Sequence, residues 1–427
     1  MRVLLANPPL PSRFSHPPIG LLYLASSLLH AGYEADVVDG AIVGEHGVLE
    51  KIARYKPHVV GIQIISMHRH VALRMAALIK AQDPRIKIVA GGPHCSVMPN
   101  HVRSYPFIDA VCVGDGEQWI IDYVQGRPQN VIDHIELRRN LNELKLPAWQ
   151  LANFSAYKSK EVSICTSRGC TAKCSFCFNP NIWRQWRGRS ADSVVTELIH
   201  LYGMGRRKFY FTDDHFVADR QRVIDICKSI TSTSMKIRWF CSARADGVDP
   251  EMLRWMKKAG CYQIGYGIES VSPVILESIH KGDGPHVEIV ERAIRETKEA
   301  GIETMAAMMT GNIGETDETV MESADFLKRS MPTICTHARG VWILPNTALY
   351  REAVKRGIIA DDFWYGKQSI MYWPFTQRKL RRWALMMTAF RPWHFFRKRL
   401  ADRLYIYFPR THTRIRRIYD QLSSTPQ

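Results

Sequence analysis

The sequence has no apolar run of about 18 residues, the length that a membrane-spanning helix needs. We therefore expect no segment of the 427 residues to cross a membrane. The opening stretch, MRVLLANPPLPS, has an apolar run too brief for the core of a signal peptide, and it predicts a buried strand instead. These features predict a cytoplasmic protein with reduced thiols, in which clustered cysteines indicate metal or catalytic chemistry rather than disulfides.

Acidic residues are scarce relative to basic ones, with 41 Asp and Glu against 58 Lys and Arg. The imbalance is local, because thirteen Lys or Arg accompany a single acid, Asp402, between Arg378 and Arg417. Aromatic residues interleave with these cations. Such a segment suits the anionic inner face of a membrane, a helical cap with a solvated basic face or, less well, nucleic acid.

Residues 1–130 alternate apolar β-rich runs with helical patterns. The runs lie at Arg2 to Ala6, Tyr33 to Asp39, His58 to Ile65, Lys87 to Ala90 and Ala110 to Val113. They predict an α/β domain with a Rossmann-like, flavodoxin-like parallel sheet, whose ligands bind beyond the carboxyl ends of the strands. Glycines there also suit any tight strand-to-helix turn. The candidate ligand contacts are Pro9, Asp39, Gly40, Ser66, Met67, Gly91, Gly92, Pro93, His94, Gly114, Gly116 and Glu117.

A polar connector over residues 131–160 leads to a second alternating pattern. Strands near positions 161, 208, 236, 262, 303 and 335 each precede a helical segment. Six such units predict a partial (β/α)6 barrel of the TIM type over residues 161–345, with its site at the carboxyl strand ends. Residues 346–427 are predicted to form a C-terminal helical extension.

Three cysteines, Cys170, Cys174 and Cys177, follow the first of these strands with the spacing CxxxCxxC. Three thiolates on a 4Fe–4S cluster leave one iron open to a small chelating molecule. The alternatives are a structural zinc site with Cys165 as fourth ligand and a redox pair of Cys174 and Cys177. The cluster is favoured because Cys165 lies within the preceding strand and a redox pair leaves Cys170 unexplained.

The motif, with the aromatic Phe176 before its last cysteine, resembles the signature of the radical S-adenosylmethionine (radical SAM) enzymes. The resemblance continues over residues 160–365, through FTDDHF, the run from Trp239 to Ser270, MMTGNIGET and LPNTALYREAVKRGII. The run PPIGLLYLASSLLHAGYEADVVDG, followed by GGPH and GDGE, is similar to the cobalamin-binding domain of many such enzymes. Ala41 stands where methionine-synthase-like domains carry the axial histidine.

The resemblance implies three cofactors, a 4Fe–4S cluster, S-adenosylmethionine (SAM) and cobalamin, and an electron donor such as flavodoxin or ferredoxin. It places Asp213 and Asp214 near the methionine amino group, Arg244 and Glu269 near the carboxylate and ribose, and Gly311 to Glu315 near the adenine, with Phe176 also at the SAM site. Alternatively, Asp213 caps the next helix, Arg244 pairs with Asp246, and Glu269 belongs to a buried ion pair.

The implied function is a C-methyltransferase that acts on an unactivated carbon of a lipid, tetrapyrrole or secondary metabolite. Oxidative cyclisation or ring rearrangement uses the same parts, and a cobalamin-binding sensor is a more distant alternative. Methylthiotransferases that act on RNA carry a second cysteine set and a C-terminal β-barrel, and this chain has neither, so we expect no nucleic-acid partner.

Two further groups of residues have open roles. Trp183, Arg184, Trp186, Arg187 and Arg189 either line a substrate entrance or pack the cysteine loop against the first domain. The remaining cysteines read as core thiols. Cys335 is also a candidate hydrogen-atom donor; the others are Cys95, Cys112, Cys227, Cys241 and Cys261.

Overall fold

A computed structural model describes residues 1–10, 16–127, 137–183, 185–281, 286–366 and 375–388. Arg184 and the tail from residue 389 onward lie outside the described residues, so membrane or nucleic-acid contact by that tail stays a prediction. Within the described ranges, none of the helices combines the length and the apolar character that crossing a bilayer requires.

Five parallel strands form the first sheet, in the order β2-β1-β3-β4-β5. The strands are β1 (Arg2–Asn7), β2 (Glu34–Asp39), β3 (Val59–Gln63), β4 (Lys87–Gly91) and β5 (Ala110–Val111). The helices are α1 (Ile19–His30), α2 (Gly40–Tyr55), α3 (Arg69–Gln82), α4 (Pro93–Val97), α5 (Pro99–Arg103) and α6 (Gly116–Val124). This order confirms the flavodoxin-like prediction.

Both faces of this sheet are covered because successive residues of a strand point to opposite sides. In β1, Val3 and Leu5 pack with α1 and α6, whereas Leu4 and Ala6 pack with α2 and α3. All four residues are fully buried. Continuous apolar runs rather than alternating ones therefore specify these strands.

Six parallel strands form the second sheet, in the order β13-β12-β11-β10-β9-β6. They are β6 (Glu161–Ile164), β9 (Lys208–Phe211), β10 (Arg238–Ala243), β11 (Cys261–Glu269), β12 (Glu303–Thr310) and β13 (Ile334–Arg339). Since β6 and β13 are the two edges, the sheet is an open partial barrel, as predicted. A short antiparallel hairpin, β7 (Ser167–Arg168) with β8 (Arg187–Gly188), encloses the cysteine loop.

Helices of the second half follow the strands in the expected alternation. They are α7 (Asn179–Ile182), α8 (Ala191–Gly203), α9 (Arg220–Ser232), α10 (Pro250–Lys258), α11 (Pro273–Ser278), α12 (His286–Glu299), α13 (Asp317–Ser330), α14 (Ala348–Lys355) and α15 (Gln377–Thr388). The predicted connector is not wholly solvated, because Trp149 lies in the barrel core and its Nε1 donates to Glu197 Oε1 at 3.1 Å.

The start of the basic segment forms a helical cap on the barrel. In α15, Leu380, Trp383 and Met387 are buried at helical spacing, while Arg381 and Arg382 between them are exposed. Trp383 Nε1 donates to Asp317 Oδ1 at 2.7 Å, which attaches α15 to α13. The predicted helical extension is thus confirmed for these residues, and Trp383 serves the core rather than a membrane surface.

Candidate functional site

The three motif cysteines face one cavity. Cys170, Cys174 and Cys177 line a space of about 700 Å³ beside α7 and α14. Cys165 is not among the described residues that line this cavity. Its Sγ donates instead to the Ser167 carbonyl at 3.3 Å. Three convergent thiols are the donor set of a 4Fe–4S cluster with one open iron, so the residues fit that group. Cys165 is not placed to complete a zinc site.

The cysteine loop is anchored from both sides at Ser175. The Ser175 amide donates to the Ile279 carbonyl at 3.0 Å, and its hydroxyl donates to the Ser278 carbonyl at 3.2 Å. The Leu349 amide at the start of α14 in turn donates to the Ser175 carbonyl at 2.9 Å. These bonds hold the loop between α11 and α14.

The thiols are partly desolvated and accept local amide hydrogens. The Ala172 amide donates to Cys170 Sγ at 3.4 Å, and the Asn179 amide donates to Cys177 Sγ at 3.4 Å. Burial raises the pKa of Cys174 and raises that of Cys177 to about 12. Because a coordinating metal deprotonates a thiol, cluster assembly must release these protons.

Asp213 and Asp214 face different partners. Asp213 is buried and accepts from the Thr166 amide at 2.7 Å, the Thr166 hydroxyl at 2.5 Å and the Ser167 hydroxyl at 2.6 Å. It therefore ties β9 to the strand that leads into the cysteine loop. It does not cap α9, since Asp219 does so.

Asp214 lies closer to the cysteine loop. It is exposed at the surface of the site, accepts hydrogen bonds from the Asn179 side chain and the Gly169 amide, and has a pKa raised by partial desolvation and by the neighbouring Asp213. Gly169 has φ of 90°, and a Cβ there would lie 2.5 Å from the Gln185 carbonyl. Glycine is therefore required where the loop leaves β7.

Arg244 forms the ion pair that was the alternative to a SAM contact. Its Nη2 donates to Asp246 Oδ2 at 2.7 Å, and this bond is the main cause of its raised pKa. Arg244 also interacts electrostatically with Cys170 and Cys174. It is thus an ion-pair member that lies beside the thiols.

Glu269 lies at a backbone irregularity next to Cys174. Its φ is 65°, and the register of β11 against β12 shifts between Gly267 and Glu269. Lys281 Nζ donates to the Gly267 carbonyl at 2.7 Å and to Glu269 Oε1 at 3.3 Å. Both charges act on Cys174, where Lys281 lowers and Glu269 raises the thiol pKa. Bulges and left-handed non-glycine residues are typical of functional sites.

Four buried polar atoms at this end of the barrel have no hydrogen-bond partner among the described residues. They are His215 Nδ1, His286 Nε2, Thr310 Oγ1 and Asn312 Oδ1. His215 follows β9, Thr310 ends β12 and Asn312 lies just beyond it. Since buried polar atoms are rarely left unpaired, these atoms are available to hydrogen-bond water or a bound ligand.

Gly311 and Glu315 are engaged by their own loop. Glu315 accepts from the Asn312 amide and side chain, and burial raises its pKa. Gly311 has φ of 93°, and a Cβ there would lie 3.0 Å from Gly340 Cα. Of the predicted adenine segment, Asn312 is the residue with a buried polar atom left over.

Phe176 and Cys335, the aromatic and thiol candidates, lie in different places. Phe176 packs partly buried against a small core that includes Tyr350 and Trp364. Cys335 is the second residue of β13, at the end of the strand away from the cysteine loop, so the structure does not bring it to the cavity. The other five cysteines are buried, as expected of core thiols.

At the first sheet, Asp39 and Gly40 contact their own chain. Asp39 accepts from Asn7 Nδ2 at 2.8 Å, from the Ala41 amide at 3.0 Å and from the Tyr157 hydroxyl at 2.7 Å. A Cβ on Gly40 would lie 2.7 Å from Asn7 O and Pro9 N. The close backbone approach that this glycine permits is thus to the turn after β1.

His94 is buried in a chain of hydrogen bonds. Its Nδ1 lies 3.0 Å from Ser66 Oγ and its Nε2 lies 3.0 Å from His101 Nδ1. Desolvation lowers the pKa of His94 to about 3 and that of His101 to about 4, so both rings are neutral near pH 7. Because both nitrogens are engaged, His94 does not substitute for the axial histidine that Ala41 replaces.

The GDGE turn likewise directs its acids to protein partners. Asp115 and Glu117 pair with Arg168 and Arg187 of the hairpin around the cysteine loop. The remaining predicted contacts at this edge (Pro9, Met67, Gly91, Gly92, Pro93, Gly114 and Gly116) lie at or just beyond the carboxyl ends of the strands, some of them in the turns or at helix starts.

Of the residues after the cysteine loop, Arg187 packs the loop against the first domain as one of the two alternatives predicted, and the substrate-entrance role stays a prediction. Trp186 lines the cavity, whereas Arg187 and Arg189 are buried in ion pairs with Asp115 and Glu197. The Arg187 guanidinium lies over the Trp183 ring, with its central carbon 5.5 Å from the ring centroid.

Four residues at this site, Lys281, His215, His286 and Arg168, are not among those that the sequence motifs predict. His215 directly follows the two acids in FTDDHF, and Arg168 lies two residues before Cys170, so proximity to a motif could have found both. Lys281 and His286 follow α11 at a distance from any strand end, and only the fold reveals their position.

Two family models match separate parts of the chain. The radical SAM superfamily model matches residues 164–327, and the B12-binding domain model matches residues 10–122. The chain belongs to the cobalamin-binding radical SAM enzymes. Its cofactors are accordingly a 4Fe–4S cluster, SAM and cobalamin.

Relatives of this radical SAM enzyme include methyltransferases and cyclases. An uncharacterized methyltransferase of Pyrococcus horikoshii is 29% identical over 401 residues, which cover 85% of each chain. An anaerobic magnesium-protoporphyrin IX monomethyl ester cyclase of Rubrivivax gelatinosus is 27% identical over 437 residues, covering 87% of this chain and 77% of the relative.

A solved structure shares the fold. The radical S-adenosylmethionine methyltransferase TsrM from Kitasatospora setae superposes with a TM-score of 0.72 at 22% identity. The match covers 83% of this chain and 76% of TsrM. It supports the two-part α/β architecture.

Proposed function

We propose that this radical SAM methyltransferase adds a methyl group to an unactivated carbon of a small-molecule or lipid-like substrate. The observation that carries the proposal is the convergence of Cys170, Cys174 and Cys177 on one cavity, in a chain that also contains a cobalamin-binding sheet. The methyltransferase named among its relatives supports methyl transfer.

The residues present support a place for each cofactor. The three cysteines would hold the cluster, and Arg244, Glu269 and Lys281 would face the charged end of SAM. Cobalamin would lie on the carboxyl edge of the first sheet, contacted by the backbone near Pro9, Met67, Gly92 and Gly114, because Asp39, His94 and Glu117 are already engaged. Together these groups supply one-electron cleavage of a sulfonium bond and a transferable methyl group.

The chain's own residues would position the cysteine loop and remove its thiols from water. Ser175 fixes the cysteine loop, and the pairs Arg244–Asp246 and Lys281–Glu269 place balanced charge beside it. The cavity wall also carries Lys173, Arg351 and the Trp186 ring, and none of the described residues that line it is acidic. Such a wall suits a flat or apolar substrate that bears negative charge.

The test is the product pattern of the reconstituted enzyme with SAM, a one-electron donor such as flavodoxin, and candidate substrates of the stated class. Methyl transfer predicts S-adenosylhomocysteine and 5'-deoxyadenosine together. Cys174→Ala should abolish 5'-deoxyadenosine, whereas the matched variant Cys165→Ala, outside the cavity, should retain it. Loss of activity in both variants, or in neither, would contradict the assignment of the three cysteines.

Oxidative cyclisation is the second candidate, favoured by the cyclase relative that spans 87% of the chain. It would yield 5'-deoxyadenosine without S-adenosylhomocysteine. A cobalamin-binding sensor would yield neither product, although the intact cysteine motif argues against it.

A further inference from the structure

Arg168, two residues before Cys170, is held by two carboxylates from the first sheet's last turn. Its Nη1 lies 2.6 Å from Asp115 Oδ1, and its Nη2 lies 2.5 Å from Glu117 Oε1. The exposed fractions of the three side chains are 12%, 5% and 4%. The contact therefore joins the two halves of the chain at a buried place.

Asp115 also forms an ion pair with β8, the second strand of the hairpin. Arg187 Nη1 lies 2.8 Å from Asp115 Oδ2, and the Arg138 amide donates to the same oxygen at 2.7 Å. Arg168 and Arg187 stand directly opposite each other in the β7–β8 pairing. The turn thus holds both strands that flank the cysteine loop.

The hairpin depends on these acids for an electrostatic reason. The guanidinium groups of the buried Arg187 and the largely buried Arg168 repel each other, and like charges directly opposite across strands destabilise the pairing. The two carboxylates compensate this repulsion with charge-assisted hydrogen bonds. Buried ion pairs add little net stability, but removing one partner leaves an uncompensated charge, so they fix a geometry strongly.

We propose that Asp115 and Glu117 form a clamp, the GDGE clamp, which sets the position of the cysteine loop relative to the first sheet. In this role they are positioning residues and not cofactor contacts. The catalytic consequence rests on the proposed function. The clamp keeps SAM cleavage coupled to methyl transfer, because this coupling depends on the distance between the cysteine loop and the first sheet.

The test compares Glu117→Gln and Arg168→Lys with Glu251→Gln in the full-length, reconstituted protein. Glu251 is a matched control because it and Asp249 hold Arg220 in the same two-acid arrangement, but on the surface, with exposed fractions of 50% and 48% for Glu251 and Arg220. Arg168→Lys keeps the charge but loses the fork that reaches both acids, so it serves if Glu117→Gln does not fold.

Amide hydrogen exchange followed by mass spectrometry is the direct readout. In the clamp variants we expect exchange over residues 167–188 to rise about tenfold, the size of one lost charge-assisted bond. Exchange elsewhere, and exchange in Glu251→Gln, should not change. The second readout is the ratio of 5'-deoxyadenosine to S-adenosylhomocysteine, which should rise in the clamp variants because cleavage is no longer coupled to transfer.

Unchanged exchange over residues 167–188 in folded variants would overturn the proposal, as would a uniform rise over the whole chain. A local rise in exchange with an unaltered product ratio would overturn the catalytic consequence. If the wild-type enzyme forms no S-adenosylhomocysteine, the proposed function fails, and the exchange experiment still decides the clamp.

Discussion

Replacing Gly267 by alanine is expected to weaken SAM binding without unfolding the enzyme. A Cβ at this position would lie 2.8 Å from Glu269 Oε1 and 3.2 Å from Lys281 Nζ. Both atoms are tips of flexible side chains, so the Glu269–Lys281 pair gives way while the backbone stays. Gly267 is not among the residues with positive φ, and alanine fits its strand conformation.

The structure sets the size of the effect. Ordinary contacts begin at 3.4 Å, so the Glu269 carboxylate must move by roughly 0.6 Å. A hydrogen bond to a charged group contributes about 1.5–3 kcal/mol, and its partial loss corresponds to about tenfold in affinity. Stability should change by less than about 1 kcal/mol, because alanine in a strand is at least as favourable as glycine.

Anaerobic calorimetric titration of the reconstituted enzyme with SAM measures the affinity, and thermal unfolding provides the stability. Gly265→Ala is the matched control, since it lies on the same face of β11 and its Cβ would displace the Met305 methyl at 2.7 Å instead of an ion pair. Unchanged SAM affinity in a folded Gly267→Ala variant, or an equal loss in Gly265→Ala, would refute a role for the pair in SAM binding.

Three further variants test other parts of the structure. Gly169→Ala should lower the iron content after reconstitution, because its Cβ would lie 2.5 Å from a carbonyl oxygen. Gly205→Ala is the control, since Gly205 also has positive φ but a Cβ there would meet no atom within 4 Å. Equal iron contents in the two variants would contradict the need for glycine at position 169. Trp383→Ala should destabilise by about 3–5 kcal/mol in denaturant unfolding and Arg381→Ala by less than about 0.5 kcal/mol, and similar values would place α15 outside the core. His101 has a folded pKa of about 4 against about 6.5 unfolded, so the unfolded state binds more protons below pH 6.5 and stability falls as pH drops from 6.5 towards 4. His101→Gln should make this fall shallower by about 1 kcal/mol per pH unit, and an unchanged slope would show that His101 does not titrate in this way.

Strands and the cysteine loop could be predicted because their signals are local. The runs RVLLAN and KFYF are apolar enough to specify buried strands by themselves. The CxxxCxxC spacing fixes which thiols can converge, and the structure places those three on one cavity and leaves Cys165 out.

The partners of the strand-end acids could not be predicted, because they come from distant parts of the chain. Asp39 binds Tyr157, 118 residues away, and Glu117 binds Arg168, 51 residues away. An acid at a strand end is free to bind a ligand only if no side chain from elsewhere in the chain pairs with it. The sequence does not show the packing that decides whether such a pair forms. The same holds for Lys281, which reaches Glu269 only through the turn after α11.

The most direct test of the account is electron paramagnetic resonance of the anaerobically reconstituted, reduced protein, recorded with and without SAM. Wild type and Cys165→Ala should show a 4Fe–4S signal that shifts when SAM is added, and Cys174→Ala should show none. Zinc in place of iron, a signal insensitive to SAM, or loss of the cluster in Cys165→Ala would contradict the assignment of one open iron held by Cys170, Cys174 and Cys177.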